Sequence, residues 1–145
     1  MVDNPPTHFP RVTPYLLYED VPAALAWLSE AFGFRERLRF TAEDGTVNHA
    51  EMELADGVIM LGDPGGDYRN PRRAGAVTVQ VHVYVEDVDA HCARAKAAGA
   101  AILSGPTDEA YGDRRYDTED LEGHRWSFAQ HVRDVAPARW GAVKA

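Results

Sequence analysis

The chain has 145 residues, with 23 Asp or Glu against 15 Lys or Arg and a net charge of −8, a balance that repels phosphate backbones and anionic lipid and argues against nucleic-acid and membrane-surface roles. It holds no apolar run of about 18 residues that could span a bilayer, and its opening "MVDNPPTHFP" lacks the charged-then-apolar order of a secretory signal. Its single cysteine, Cys92, excludes an intrachain disulfide and suits a reducing compartment, so a soluble cytoplasmic protein is expected.

In chain order, the strand-like run "VTPYLLY" leads to Asp20. Val21, Leu25, Leu28 and Phe32 then recur at helical spacing. Asp20 therefore reads as an N-cap, Pro22 as a first-turn residue and Gly33 as the stop. "RERLRFTA", "TVNHAEMEL" and "GVIMLGD" follow as three strands parted by the turn signals "EDG" and "ADG". The stretch 63–76, "DPGGDYRNPRRAGA", reads as a polar linker, and its basic cluster "RNPRR" as a solvated loop.

The junction "LLYEDVPAAL" (16–25) then returns as "VYVEDVDAHC" (83–92). Asp87 caps a second helix striped by Val88, Cys92 and Ala95 and stopped by Gly99. Cys92 reads as a buried structural thiol, and His91 is expected on the exposed side. "AAILSGP", "YGDRRYDTED" and "HRWSFAQHV" complete the second set of strands, the last two parted by "LEG". Asp113, Asp117, Glu119 and Asp120 form a charge run expected to be solvated. The closing "RDVAPARWGAVKA" carries Trp140, which is expected to pack.

Asp20 and Asp87 stand 67 residues apart, while Gly33–Gly99 and Gly57–Gly123 are each separated by 66. Landmarks of unlike chemistry sharing nearly one offset define two tandem β-α-β-β-β modules. Their expected bounds are about 11–62 and 77–132, with a tail at 133–145.

Three stretches, "VTPYLLYEDVPAALAWLSEAFGF", "HAEMELADGVIMLGD" and "VHVYVEDVDAHCARAKAAGA" with its later "YGDRRYDTEDLEGHRWSFAQHV", resemble the vicinal oxygen chelate superfamily. That superfamily holds glyoxalase I, extradiol dioxygenases, fosfomycin-resistance enzymes and metal-free bleomycin-binding proteins. Within it the chain looks like the PhnB-like branch, where a "TPYL" opening and a "GH.W" final strand are frequent. The resemblance covers residues 11–132. It implies an α+β fold in which tandem βαβββ modules form curved mixed sheets around a pocket.

Superfamily enzymes hold a divalent ion with one ligand from each of four strands. The resemblance places those positions at Thr13, Met60 (or Leu61), Gln80 and Ser127. A thioether, two hydroxyls and one neutral amide are a poor donor set for such an ion, so no metal and no other cofactor is expected. A displaced site built from His49, Glu51, His82 and His124 remains an alternative. Against it, Glu51 and Glu53 read as solvent-facing alternates that leave Ala50, Met52 and Leu54 inward, and His124 reads as a turn residue.

The pocket lining implied by strand alternation is Thr13, Tyr15, Leu17, Met60, Gln80, His82, Tyr84 and Ser127, with Trp126 behind it or at its rim. This is an apolar, aromatic lining with a few polar groups, the composition of a small-molecule site. No G-x-x-x-x-G-K phosphate loop and no G-x-S-x-G elbow is present. Two functions lead, with a metal-dependent glyoxalase- or dioxygenase-like enzyme using the displaced site as a third. One is a homodimeric binding protein that sequesters an apolar or aromatic compound. The other is a metal-independent isomerase, lyase or cyclase with His82 as general base and Tyr84 or Tyr15 as acid.

Overall fold

Apolar alternation along the strands, with one capped helix per module, decides how each half of the chain packs. The computed structural model describes residues 1–145, which divide into two units, Met1–Ala76 and Val77–Ala145. Each unit builds one four-stranded mixed sheet.

In the first unit β1 (Tyr15–Leu17), β2 (Arg35–Thr41), β3 (Val47–Leu54) and β4 (Gly57–Gly62) are ordered β1-β4-β3-β2. β1 runs parallel to β4, and the other neighbours are antiparallel. Helix α1 (Val21–Phe32) starts where Asp20 accepts the Ala23 N–H at 3.0 Å and ends at Gly33, whose φ of 81° needs no Cβ. Such a cap contributes about 1 kcal/mol. The expected stripe is buried, and with it Leu16, Ala50, Met52, Ile59 and Leu61. Pairing of Leu16 with Leu61, of Leu61 with Ala50 and of Ile59 with Met52 puts these five on one sheet face, the one that takes the helix.

The second unit repeats the plan. β5 (Gln80–Tyr84), β6 (Ala101–Asp108), β7 (Asp113–Glu119) and β8 (Arg125–His131) are ordered β5-β8-β7-β6, with β5 parallel to β8. Asp87 accepts the Ala90 N–H at 3.0 Å to open the second long helix, Val88–Ala97, which buries Val88, Cys92 and Ala95. Burial pushes the Cys92 thiol up, away from the reactive thiolate.

Three local readings are corrected. The basic stretch is not a solvated loop: Pro71–Ala74 forms a short helix, α2, making the Val88–Ala97 helix α3 in chain order. Asn70 caps α2 by accepting the Arg73 N–H at 2.9 Å, while Glu19 accepts the Asn70 N–H at 3.0 Å and pairs with the Arg73 guanidinium. His91 is half-buried, its Nδ1 2.6 Å from Tyr116 Oη and its ring 4.2 Å from that of Phe128. The acidic run is not solvated throughout, since Asp113 and Asp120 are only 4% and 1% exposed. Trp126 is fully buried, and its alternation with Val81 and Thr118 places it on the face that takes α3. In the tail, Pro137–Trp140 forms a 3₁₀ turn whose Trp140 meets Tyr111 edge-on at 5.6 Å.

Buried carboxylates survive only where donors converge on them. Asp120 accepts the backbone N–H groups of Glu122 and His124 and the indole N–H of Trp126, each at 3.0 Å, and so closes the β7–β8 turn. Asp113 accepts from Tyr84 Oη at 2.9 Å and meets His131 Nδ1 at 2.8 Å, while His131 Nε2 reaches Asp134 at 2.7 Å. Asp134 first and Asp113 second raise the His131 imidazole above its ordinary value.

Asp120→Ala strands three donors, and urea unfolding is expected to show a loss of about 3 kcal/mol. An unchanged unfolding midpoint would show that the turn does not depend on this carboxylate. For His131 the folded pKa lies above the unfolded one. Its stabilisation is therefore complete below the unfolded value of about 6.5 and fades as pH rises through the folded value. The gap in melting temperature between wild type and His131→Gln should be wider at about pH 5.5 than at about pH 8.5.

Candidate functional site

With α1 covering one face of the first sheet, strand alternation sends every second residue to the other. Tyr15, Met60, Glu51 and Leu38 follow one another across that face from β1 to β2, and Leu17, Gly62, His49 and Phe40 form the next row. A bulge between Glu36 and Leu38 sets the β2 register that brings Leu38 opposite Glu51. Tyr15, Leu17, Leu38 and Phe40 are 50%, 38%, 46% and 57% exposed. Leu38 and Phe40 were missed in the sequence because "RERLRFT" reads as charged; their i, i+2 spacing was the available signal.

The register also overturns the expected orientation of β3. Ala50 and Met52 go to the helix, so His49, Glu51 and Glu53 share the face of Tyr15 and Met60, and Glu51 is only 8% exposed. Tyr15 leans across β4 over Gly62. A Cβ at Gly62 would lie 2.5 Å from Tyr15 Cε1 and 2.8 Å from its hydroxyl oxygen. The bare backbone lets Tyr15 Oη come within 2.7 Å of His49 Nδ1, the rings tilted 43° at 5.6 Å. On the other side of the imidazole, Nε2 lies 3.7 Å from a Glu51 carboxylate oxygen. Thr13, half-buried, sits just ahead of β1.

On the second sheet Gln80, His82 and Tyr84 alternate outward along β5, opposite Arg125, Ser127 and Ala129. His82 Nδ1 lies 3.2 Å from Ser127 Oγ, and the His82 ring meets Tyr84 edge-on at 5.1 Å. Ser127 is fully buried and stands opposite Asp117. Ser104 donates to Asp117 at 3.0 Å and Arg115 at 2.5 Å. Burial pushes the Asp117 carboxyl up, but these donors outweigh it and hold the group below its ordinary value. The hydrogen bond to Asp113, reinforced by burial, pushes the Tyr84 phenol up.

Tyr15, Leu17 and Met60 are thus brought together on one sheet, and Gln80, His82, Tyr84 and Ser127 on the other. Trp126 joins neither set, because it faces α3. A cleft of about 410 Å³ beside the short helix is lined by Glu19, Asp63, Tyr68, Arg69 and Arg73 among others. Its charges serve the fold: Glu19 holds the start of α2, and Tyr68 donates to the Leu17 carbonyl at 2.7 Å.

The donors present do not fit a resident divalent ion. Thr13 just ahead of β1 and Met60 on β4 offer a hydroxyl and a thioether, and Gln80 and Ser127 on the second sheet offer an amide and a hydroxyl, none of them a strong ligand. His49 and Glu51 are two donors without a third, and no group of three His, Cys, Asp or Glu is placed to hold a metal. His124 serves a turn, its N–H donating to Asp120.

In sequence the chain is 34% identical over 131 residues to uncharacterized protein Mb0911c of Mycobacterium bovis, spanning 87% of this chain and 86% of that one. Among solved structures it is similar to TioX from Micromonospora sp. ML1, with 40% identity over 83% of this chain and 98% of that one and a TM-score of 0.70. A glyoxalase/bleomycin resistance protein/dioxygenase from Nocardioides shares the fold at 19% identity and a TM-score of 0.66, over 94% of this chain and 91% of that one. The family model for the Glyoxalase/Bleomycin resistance protein/Dioxygenase superfamily matches residues 8–128, and the chain belongs to that superfamily.

Proposed function

We propose that the chain is a metal-independent small-molecule-binding protein of the PhnB-like kind. On this reading it acts in the cytoplasm as a homodimer and sequesters an apolar or aromatic compound, a mode of action that would confer resistance to a toxic one. The carrying observation is the open face of the first sheet, where Tyr15, Leu17, Leu38 and Phe40 are all exposed beside Met60. Adjacent exposed apolar side chains mark a binding surface more often than bare solvent contact, and aromatic rings offer stacking area at low entropic cost. Thr13 ahead of β1, Tyr15, Leu17 and Met60 on the first sheet, and Gln80, His82, Tyr84 and Ser127 on the second are the proposed contact residues.

A second reading, a metal-independent isomerase, lyase or cyclase, is favoured by the exposure of His82 and its contact with Ser127. Tyr84 is poorly suited to be its acid, because its hydroxyl already donates a hydrogen bond to Asp113 and its phenol is pushed up. The two readings part on turnover. Binding alone is stoichiometric and leaves the compound unchanged, whereas the enzyme consumes it and loses its rate in His82→Ala.

Native mass spectrometry of protein purified without chelator or affinity metal is expected to give twice the 16.0 kDa chain, bare or with an organic adduct. One divalent ion per chain would overturn the metal-independent reading. In calorimetric titrations with planar bicyclic aromatics such as quinoline, Phe40→Ala should weaken binding about tenfold, or about 1.4 kcal/mol. Unaltered affinity in that variant would remove the first sheet from the ligand site.

A further inference from the structure

We infer that Tyr15, His49 and Glu51 form a proton relay on the open face of the first sheet, and that its ligand is an acidic phenol or enol held as the anion. The inference rests on the binding reading above and adds to it the ligand's chemical class and the direction of proton transfer.

Two contacts and one buried group order the relay. Tyr15 Oη lies 2.7 Å from His49 Nδ1, His49 Nε2 lies 3.7 Å from the Glu51 carboxylate, and Glu51 is buried beneath the face. With His49 neutral, Tyr15 donates to Nδ1 and the ring proton sits on Nε2, facing Glu51. With His49 charged, both ring nitrogens are donors. Nε2–H still faces Glu51, Nδ1–H now donates to Tyr15 Oη, and the Tyr15 proton is freed for a ligand oxygen. One geometry serves both protonation states: His49 Nδ1 and the Tyr15 hydroxyl exchange donor and acceptor roles, and Nε2–H stays facing Glu51.

The transfer balances without a further reactant. The ligand O–H proton passes to Tyr15 Oη as the proton of Tyr15 passes to His49 Nδ1. No bond between heavy atoms changes. The ligand is left as an anion accepting from Tyr15, opposite an imidazolium backed by a carboxylate. A chain of net charge −8 disfavours an anion arriving from solution. A neutral acid that yields its proton inside the site avoids that cost, since the complex keeps the charge of the free protein.

The surroundings leave the relay's charges to one another. Across from His49 stand Gly62 on β4 and Phe40 on β2. β4 carries no titratable side chain. On β2, Arg35 and Arg37 are engaged by Glu53, which also feels His8, while Arg39 pairs with Glu36. The missing Cβ at Gly62 is what admits the Tyr15 ring to this position. Leu17, Leu38, Phe40 and Met60 offer the apolar shelf for the ligand's ring. His82 is arranged differently: its Nδ1 meets the Ser127 hydroxyl, which leads on to an Asp117 already held charged by other donors, and its ring meets Tyr84 edge-on.

The test uses 4-nitrophenol, whose anion absorbs visible light and whose neutral form does not, with 4-nitroanisole as the ether that has no proton to give. At a pH where free 4-nitrophenol is mostly neutral, saturating protein should raise the phenolate:phenol ratio of the probe about tenfold, one unit in its apparent pKa. In His49→Gln, and separately in Gly62→Ala, which displaces Tyr15 while keeping His49 and Glu51, that gain should disappear. Reading the ratio at saturation keeps changes of affinity out of the result. Binding of both probes without a phenolate gain, or a gain that persists in both variants, overturns the relay and leaves the binding reading standing. Binding of neither probe overturns both.

Discussion

Each four-stranded sheet in this chain has two faces and a single long helix to cover one of them. That constraint decides what every strand residue is for. In the first unit Leu16, Ala50, Met52, Ile59 and Leu61 go under α1, which leaves Tyr15, Leu17, Leu38, Phe40, His49, Glu51 and Met60 on a face without a helix. In the second, Val81, Tyr116, Thr118, Trp126 and Phe128 go under α3, and Gln80, His82, Asp117 and Ser127 take the other side. Residues on the uncovered faces can vary without opening a cavity beneath a helix, so the scaffold can host unrelated chemistries.

The two uncovered faces have diverged in kind. On the second sheet the carboxylates are saturated: Asp117 takes donors from Ser104 and Arg115, and Asp113 meets Tyr84 and His131. The donors on Asp117 hold that group in its charged form, which makes it a poor base. Its value is rigidity, because the network fixes Tyr84 and Ser127 in place. On the first sheet Glu51 meets only the far nitrogen of His49, at 3.7 Å, and the near nitrogen is joined to a half-exposed phenol. On that face the chain of contacts ends at a phenol open to a ligand, whereas on the other the His82–Ser127 contact leads to an Asp117 already held charged by its donors.

The fold was readable from residues whose role is local. Asp20 and Asp87 declared their caps, Gly33 declared its turn, and the 66–67 residue offset declared the repeat. The uncovered face was half readable. Tyr15, Leu17 and Met60 followed from alternation along single strands, whereas the orientation of Glu51 did not. Alternation alone cannot say which face a helix will choose, and an acidic residue invites the assumption of solvent. Pairing of Glu51 with Met60, and of Met60 with Tyr15, settled the matter, and pairing is a relation between distant segments that single-strand patterns do not contain. For Trp126, one step along β8 from Ser127, alternation left a place behind the lining or at its rim, and pairing put it behind. Asp113 and Asp120 failed for another reason: their burial depends on donors, Tyr84 and Trp126 among them, that only the folded chain delivers.

A metal ion and a protonated imidazole solve the same problem, the placing of positive charge beside a ligand oxygen, but they select ligands differently. An ion brings its charge with it and rewards any ligand with well-placed lone pairs. An imidazole on the proposed relay takes up the proton that an acidic ligand gives, so it rewards acidity over chelating geometry. The donor-poor positions Thr13 and Met60 lie beside Tyr15, in the coil ahead of β1 and across the β1–β4 pair respectively. In place of chelating groups they leave the phenol of Tyr15, aimed by the absence of a side chain at Gly62. A single methyl group at that glycine would disturb the aim while leaving every polar group of the relay in the sequence. The specificity of this face therefore rests as much on an atom that is missing as on the three side chains that are present.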